Sequence, residues 1–141
     1  MIEQLTVFLE NEKGRLSSAC KVVADAKINM HALFLADTQD FGVARIFCDT
    51  PHKAAEVLGE AGYRARVIPV LGVEVPNRPG GLAELLVFFD THDINIEYGY
   101  CFSINDKRAI DVLKVSDASA EKELKAAGYQ IVQPEDIYAI D

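Results

Sequence analysis

Hydrophobic residues recur along the first half of the chain with the spacing of strands and helices in a fixed order. A strand is predicted from Leu5 to Leu9, and the i, i+3, i+4, i+7 spacing after it is typical of a buried helix face. That face consists of Leu16, Ala19, Cys20, Val23 and Ala24. Two more strands, a second helix and a final strand from Tyr63 to Ile68 complete the predicted order β-α-β-β-α-β.

The second half of the chain repeats the first at a distance of 66 residues, as from Ile2 to Ile68. Fourteen identical pairs fall on this spacing without a gap, mostly at glycines and hydrophobic positions. They include Asn11 with Asn77, Gly14 with Gly80, Leu16 with Leu82 and Asn29 with Asn95. The repeat predicts two copies of one small unit, with domains 1–68 and 69–141 joined by the short link Ile68-Pro69-Val70.

Turn and capping residues predict where several elements begin and end. Thr50-Pro51 predicts an N-cap followed by proline at the first position of the second helix, and Gly62 predicts the end of that helix. A turn is expected from Asp37 to Asp40, and Asn105-Asp106 marks the same turn in the second copy.

The order β-α-β-β-α-β is typical of the ferredoxin-like arrangement, in which a four-stranded antiparallel sheet carries both helices on one face. We therefore predict an α+β fold with two ferredoxin-like units in tandem. A unit of about 65 residues buries only about 60% of its unfolded surface, so each unit is expected to gain stability from pairing.

Composition and charge disfavour some classes of partner. The 141 residues are 50% hydrophobic and 26% charged, as in a soluble globular protein, and no stretch reaches the ~18 apolar residues of a membrane span. We expect a cytoplasmic protein without a membrane partner. The net charge of -8 disfavours a nucleic-acid partner, because binding to phosphates depends on basic residues.

Cysteine and histidine do not show the spacing of a metal or redox site. Cys20, Cys48 and Cys101 lie far apart in apolar sequence, so they are expected to be buried free thiols. The three histidines form no HxxxH or HExxH pattern. Neither a metal nor a cofactor is expected, and no Ser-His-Asp or Cys-His arrangement indicates catalysis.

The turn between the first strand and the first helix carries N-x-x-G-x-L in both copies. Glycine at Gly14 and Gly80 permits a positive φ or a close approach to a ligand. The first amides of the following helix lack internal partners and lie at the positive end of its dipole, which suits a carboxylate. Asn11 and Asn77 add an oxygen that accepts from an ammonium, so the repeated turn favours a zwitterionic ligand.

The stretch from Asn77 to Ile96, which begins N-R-P-G-G-L-A, resembles the ACT domain motif almost residue for residue. The stretch from Asn11 to Met30 matches with Lys13 in place of the proline. The resemblance covers nearly the whole chain as a tandem pair, similar to the small stand-alone double-ACT proteins that bind amino acids.

This resemblance implies a non-catalytic regulatory protein that binds a free amino acid or similar small carboxylate where ACT domains meet. A homodimer is also expected, because it would cover sheet edges or faces that two domains alone leave open. A metabolic enzyme is a further expected partner. Carried onto this sequence, the ligand-binding residues are Asn11, Gly14, Arg15, Leu16, Asn29, Asn77, Pro79, Gly80, Gly81, Leu82 and Asn95.

Two other functions are compatible with the predicted ferredoxin-like arrangement. An acylphosphatase-like hydrolase shares the ferredoxin-like arrangement and needs an arginine in the first strand-to-helix turn together with an asparagine, for which Arg15 or Arg78 is available. A module without a ligand that docks a separate enzyme subunit through an uncovered sheet is the other alternative.

Overall fold

Nine-residue strand β1 (Ile2–Glu10) opens the first copy and is followed by helix α1 (Arg15–Asp25). The computed structural model describes residues 1–37, 40–103 and 105–141. The remaining elements of the first copy are β2 (Met30–Asp37), β3 (Phe41–Cys48), α2 (Pro51–Glu60) and the first part of β4 (Arg64–Pro76). The predicted turn from Asp37 to Asp40 includes residues 38 and 39, which lie outside the described ranges.

The second copy begins within β4, which runs through the predicted link Ile68-Pro69-Val70 as one continuous strand. Its further elements are α3 (Gly81–Thr91), β5 (Ile96–Ser103), β6 (Arg108–Val115), α4 (Ala120–Ala126) and β7 (Gln130–Ile131). A short 3-10 turn at Pro134–Asp136 follows. The predicted α+β fold of two tandem ferredoxin-like units is confirmed.

The chain divides into two compact units. One consists of Glu3–Ile68 with Pro134–Asp141, and it is called the first unit below. The other, the second unit, consists of Met1–Ile2 with Pro69–Gln133. The strand order is β2-β3-β1-β4 for the first copy and β5-β6-β4-β7 for the second. That residues 1–68 and 69–141 are separate folding domains stays a prediction.

Each unit has its own hydrophobic core between one face of its sheet and its two helices. In the first unit the core includes Leu5 and Val7 of β1, Val23 of α1, Ile46 of β3 and Leu58 of α2. In the second unit the equivalent places are taken by Leu71, Val73, Phe89, Leu113 and Leu124. Because side chains alternate along a strand, the neighbours of these core residues point to the other face of each sheet.

The two copies differ by one residue in the register of their third strands. Leu5 lies opposite Ile46 in the first unit, and Leu71 lies opposite Leu113 in the second. Equivalent residues of the two copies are therefore 66 positions apart in the sequence along the first strand but 67 positions apart along the third. The reason is that the hairpin before the third strand is one residue longer in the second copy. The gapless alignment of the sequence is wrong at this strand.

Helix α2 begins at the predicted residues, but its opening amides are bonded by a residue distant in sequence. Thr50 occupies the predicted N-cap position and Pro51 the first position of the helix, but Thr50 has φ 43 and its side chain makes no capping hydrogen bond. The Asp141 side chain accepts hydrogen bonds from the backbone amides of His52 and Lys53 at 3.2 and 2.7 Å. The C-terminal residues thus satisfy the amides that open α2, which a local sequence pattern does not reveal.

The burial of the three cysteines agrees only in part with the prediction of buried free thiols. Cys48 is buried, as predicted, whereas Cys101 is exposed and Cys20 is intermediate.

None of the helices in residues 1–37, 40–103 and 105–141 is long and apolar enough to cross a membrane.

Candidate functional site

The turn between β4 and α3 has the tight backbone that its glycines require. Gly80 adopts φ 87 at the N-cap position of α3. A Cβ on Gly81 would overlap the carbonyl oxygen of Pro76, so only glycine fits there. Among the described residues, no side chain caps the start of α3. The first amides of this helix therefore lie at the positive end of its dipole without a side-chain acceptor.

Asn77 attaches this turn to the neighbouring hairpin. Its Nδ2 donates to the Asn105 carbonyl oxygen at 3.1 Å and approaches Ser103 Oγ at 3.5 Å. Its backbone amide donates to the Lys107 carbonyl oxygen at 2.8 Å. The amide nitrogen of Asn77 is thus used within the protein, so this residue positions the turn.

Two cavities of about 250 and 270 Å³ open beside the turn in the second unit. They share Leu82, Cys101 and Asp111 in their walls. The smaller cavity is also bounded by Asn77 and Ser103, which makes it the more polar of the two. The other continues along apolar side chains, namely Leu86, Ile96 and Leu113. Together they offer a polar end and an apolar end beside the start of α3.

Asp111 is the charged residue in the wall shared by the two cavities. It is only 3% exposed, and its Oδ2 has no hydrogen-bond partner in the described part of the chain. Burial raises the pKa of this carboxyl group, while a hydrogen bond with the Cys101 thiol lowers it. An unpaired carboxylate oxygen at this depth is costly, so the position suits a group that receives a cation.

Arg78 extends from the same turn and contributes to the smaller cavity. Its guanidinium lies 3.3 Å from the Glu84 carboxylate of the first turn of α3. Both side chains are more than half exposed, so this pair contributes little to stability. The positive end of the cavity is thus formed by the start of α3 with Arg78 at its rim.

The equivalent turn of the first unit has the same backbone but different surroundings. Gly14 adopts φ 89, and the backbone amide of Asn11 donates to the Asp40 carbonyl oxygen at 3.2 Å. The residue that corresponds to Asp111 is Ala44, which lies opposite Val7 as Asp111 lies opposite Val73. The first unit therefore lacks the carboxylate that distinguishes the second.

Only some of the predicted site residues lie in the walls of cavities. Asn77 and Leu82 line the cavities of the second unit, and Arg15 lines a separate cleft of the first. Pro79, Gly80 and Gly81 shape the turn without lining these cavities, as do Asn11, Gly14 and Leu16 in the first unit. Asn29 and Asn95 are exposed, and the Asn29 amide approaches His31 at 3.5 Å.

Sequence reasoning did not identify Asp111, Cys101 or Ser103. A signal for Asp111 was present, because it is an acid inside the apolar run A-I-D-V-L. Cys101 and Ser103 carry no such signal, since they alternate with aromatic residues as any exposed strand position does. In residues 1–37, 40–103 and 105–141, no group of three or more potential ligands is placed to hold a metal ion.

Comparison with known proteins identifies the family of this chain. A model of the ACT domain pair matches residues 1–140. Protein BT0572 from Bacteroides thetaiotaomicron is similar with 34% identity, a TM-score of 0.88, and coverage of 96% of this chain and 94% of that one. The curated protein sequences contain no match.

Two solved structures share the fold at lower identity. They are regulatory subunits of aspartate kinase, from Thermus thermophilus in a ligand-free form and from Thermus flavus. The identities are 16% and 18%, the TM-scores 0.65 and 0.64, and each match covers 89% of this chain and 90% of the other.

Proposed function

The chain belongs to the ACT domain pair family, and from this premise we propose that it is a regulatory protein that binds a free amino acid or a similar small carboxylate. The proposed site is the pair of cavities beside the start of α3. Binding, not bond making, is the proposed activity.

The observation that carries this proposal is the unpaired Oδ2 of buried Asp111 close to an uncapped helix start. An α-amino acid has an ammonium and a carboxylate a few ångströms apart. In the proposed arrangement the ammonium donates to Asp111, and the carboxylate accepts from the amides that open α3. Both halves of the ligand then meet a group of opposite charge.

The rest of the cavity suits the side chain of the ligand. Leu82, Leu86, Ile96 and Leu113 form an apolar wall in a volume of about 270 Å³. An uncharged side chain of small or moderate size matches such a wall, since burial of apolar surface contributes ~25 cal/mol per Å². Asn77 holds the turn in place, and Gly81 allows the backbone to pass close to Pro76.

The first turn, with Asn11, Gly14, Arg15, Leu16 and Asn29, is proposed as a second binding region that lacks a counterpart of Asp111. A different ligand preference of the two units is therefore expected.

The regulatory role is proposed to involve other protein chains. A ligand that binds one arrangement of the domains more tightly stabilises that arrangement by its difference in affinity. Regulatory subunits of aspartate kinase share the fold, and this precedent supports action on a separate metabolic enzyme. We also propose a homodimer, because strand β2 pairs with β3 at the end of the strand order and exposes Leu33 and Leu35 by 45% and 46%.

The test is a thermal-shift screen of refolded, ligand-free protein against the common amino acids, followed by calorimetry. A ligand at about 100 times its Kd adds about 2.7 kcal/mol of stability. Asp111→Asn is expected to weaken binding of the selected amino acid by about 10- to 100-fold, because it removes a charge-assisted hydrogen bond of ~1.5–3 kcal/mol.

The matched control is Asp106→Asn, which removes an exposed acid from the neighbouring hairpin and should leave affinity unchanged. A screen without any selective shift, or equal affinity of the Asp111→Asn variant and the unaltered protein, would contradict the proposed site. In the first case the module that docks an enzyme without a ligand becomes the better explanation.

A further inference from the structure

The first unit contains a cleft of about 480 Å³ at the end of β1, which we name the Arg15 cleft. It is larger than the two cavities beside α3. Its walls come from the strand ends of β1 and β3, the start of α1 and the beginning of β4, and they include Phe8, Arg15, Phe41, Tyr63 and Arg64. It has two guanidinium groups, whereas the cavities of the second unit combine one arginine, Arg78, with the buried acid Asp111.

Both arginines of the cleft lie over aromatic rings instead of beside carboxylates. The guanidinium carbon of Arg15 is 5.0 Å from the centre of the Tyr63 ring, and that of Arg64 is 5.7 Å from the centre of the Phe8 ring. Neither arginine forms an ion pair with an acid in the described ranges. Stacking fixes the planes of the guanidinium groups and leaves their edge donors available to an anion.

Arg15 has an unmet hydrogen-bond donor. Its Nε is buried and has no partner among residues 1–37, 40–103 and 105–141. A buried donor of a charged group is expensive to leave unpaired, and a bound carboxylate would accept from it with the planar geometry that guanidinium favours.

The opposite wall of the cleft is apolar and open. Phe8 lies opposite Val43 across the β1–β3 pair, and Phe41 follows beside them opposite Glu10. Phe41 is 58% exposed and Phe8 is 37% exposed, which is unusual for phenylalanine. A flat apolar group placed here would cover both rings, and aromatic rings favour such contacts.

The fold itself does not require these side chains. At the matching positions of the second unit, Phe8, Arg15 and Arg64 are replaced by Glu74, Gly81 and Gln130. The two units nevertheless have the same arrangement of strands and helices. The aromatic and cationic residues of the first unit therefore form a local feature that needs another explanation.

We propose that the Arg15 cleft binds an aromatic carboxylate, with the carboxylate on Arg15 and Arg64 and the ring against Phe8 and Phe41. This site is distinct from the cavities beside α3. It specifies the ligand class of the binding region proposed at the first turn, so it rests on that part of the proposed function and not on Asp111. Glu10 lies on the rim of the cleft and is placed to accept from an ammonium if the ligand carries one. An amino group on the ligand should then strengthen binding.

The experiment uses the whole chain and two probes, 3-phenylpropionate and L-phenylalanine, with Kd measured by calorimetry. Arg15→Gln should weaken both probes at least tenfold, because it removes a charged donor. Phe41→Ala should weaken both by about three- to tenfold through loss of ring contact. Glu10→Gln should weaken L-phenylalanine and leave 3-phenylpropionate unchanged.

Two controls keep this proposal separate from the amino-acid site. Lys13→Gln removes a positive charge from the same turn without touching the cleft wall, and it should not change the Kd of either probe. Asp111→Asn should leave 3-phenylpropionate binding intact. Arg15→Lys, which keeps the charge but loses the planar fork, serves as a second variant if Arg15→Gln unfolds, and it should give a smaller loss.

Absence of saturable binding of 3-phenylpropionate to the folded protein would overturn the proposal. Binding that Asp111→Asn abolishes and that Arg15→Gln and Arg15→Lys leave unchanged would overturn it as well, because the probe would then occupy the cavities beside α3. Loss of amino-acid binding to the Asp111 site, with the Arg15 cleft still active, would contradict only the site proposed beside α3.

Discussion

Val73 lies directly opposite Asp111 where β4 pairs with β6, and both side chains face the helices of the second unit. In the first unit the same relationship joins Val7 to Ala44. Replacement of a small apolar residue by a buried acid is a cost to folding that the fold does not demand. It indicates that the acid serves a purpose other than stability.

The pH dependence of stability should reveal this cost. Burial raises the pKa of Asp111 above its ordinary value of 3.8, so the folded protein holds this proton more tightly than the unfolded chain does. The resulting stabilisation is complete below about pH 3.8 and is lost as pH rises through the folded pKa. Asp111→Asn should therefore gain free energy of unfolding relative to the unaltered protein as pH rises from 3.8 towards neutrality.

Urea unfolding of ligand-free protein at several pH values measures this difference. The Asp106→Asn variant is the control, since that acid is exposed. A neutral-pH loss of stability in Asp111→Asn would show instead that the carboxylate is important for the fold.

Thiol labelling should distinguish the three cysteines. Burial raises the pKa of the Cys48 thiol to about 12, so Cys48 should be the slowest to react with iodoacetamide. Cys101 is exposed and lines the cavities beside α3, so the amino acid that binds there should slow its labelling. Cys20 is the internal control, and mass spectrometry of the peptides gives the three rates. Unchanged labelling of Cys101 with saturating ligand would argue against the proposed pose.

Glycine substitutions should affect stability in opposite directions. Gly81→Ala places a methyl group against the Pro76 carbonyl oxygen and should lower the free energy of unfolding by about 1–3 kcal/mol. Gly59 lies inside α2 with open space around it, so Gly59→Ala should raise that free energy by about 0.5–1 kcal/mol. Chemical denaturation of both variants is the measurement, and equal effects would mean that the close approach at Gly81 is not present.

The cap of α2 is a further test of a long-range contact. Asp141→Ala removes the acceptor of the His52 and Lys53 amides and should cost about 1 kcal/mol. Thr50→Ala should cost little, because the Thr50 hydroxyl makes no capping bond. Thermal unfolding of the two variants compares them, and the reverse ranking would show that the Thr50 hydroxyl, not Asp141, bonds the opening amides.

The proposed homodimer can be tested at strand β2. Leu33→Glu together with Leu35→Glu places two charges on an exposed apolar strand and should shift the protein to monomer in light scattering. Val87→Glu changes a residue of α3 that is still more exposed and should leave the oligomeric state unchanged. A monomer before any substitution, or a dimer that survives the double substitution, would be evidence against this surface.

The sequence by itself determined the repeat, the order of elements and the glycine turns, because these depend on local periodicity and on backbone conformations that few residues adopt. Gly14 and Gly80 take the positive φ that their turns predicted. The resemblance of Asn77 to Ile96 to the ACT motif also led to the correct family, since that motif is contained in one continuous segment.

Tertiary structure alone decided which side chains meet. Asp111, Cys101 and Leu82 lie on three different elements, and their common cavity depends on a register that one extra hairpin residue shifts. The Asp141 cap and the Arg15 cleft likewise join segments whose distance in sequence carries no signal. Local patterns fix backbone conformation, whereas pairing of strands and packing of helices decide which polar group is left buried and unpaired, and therefore where we propose that a ligand binds.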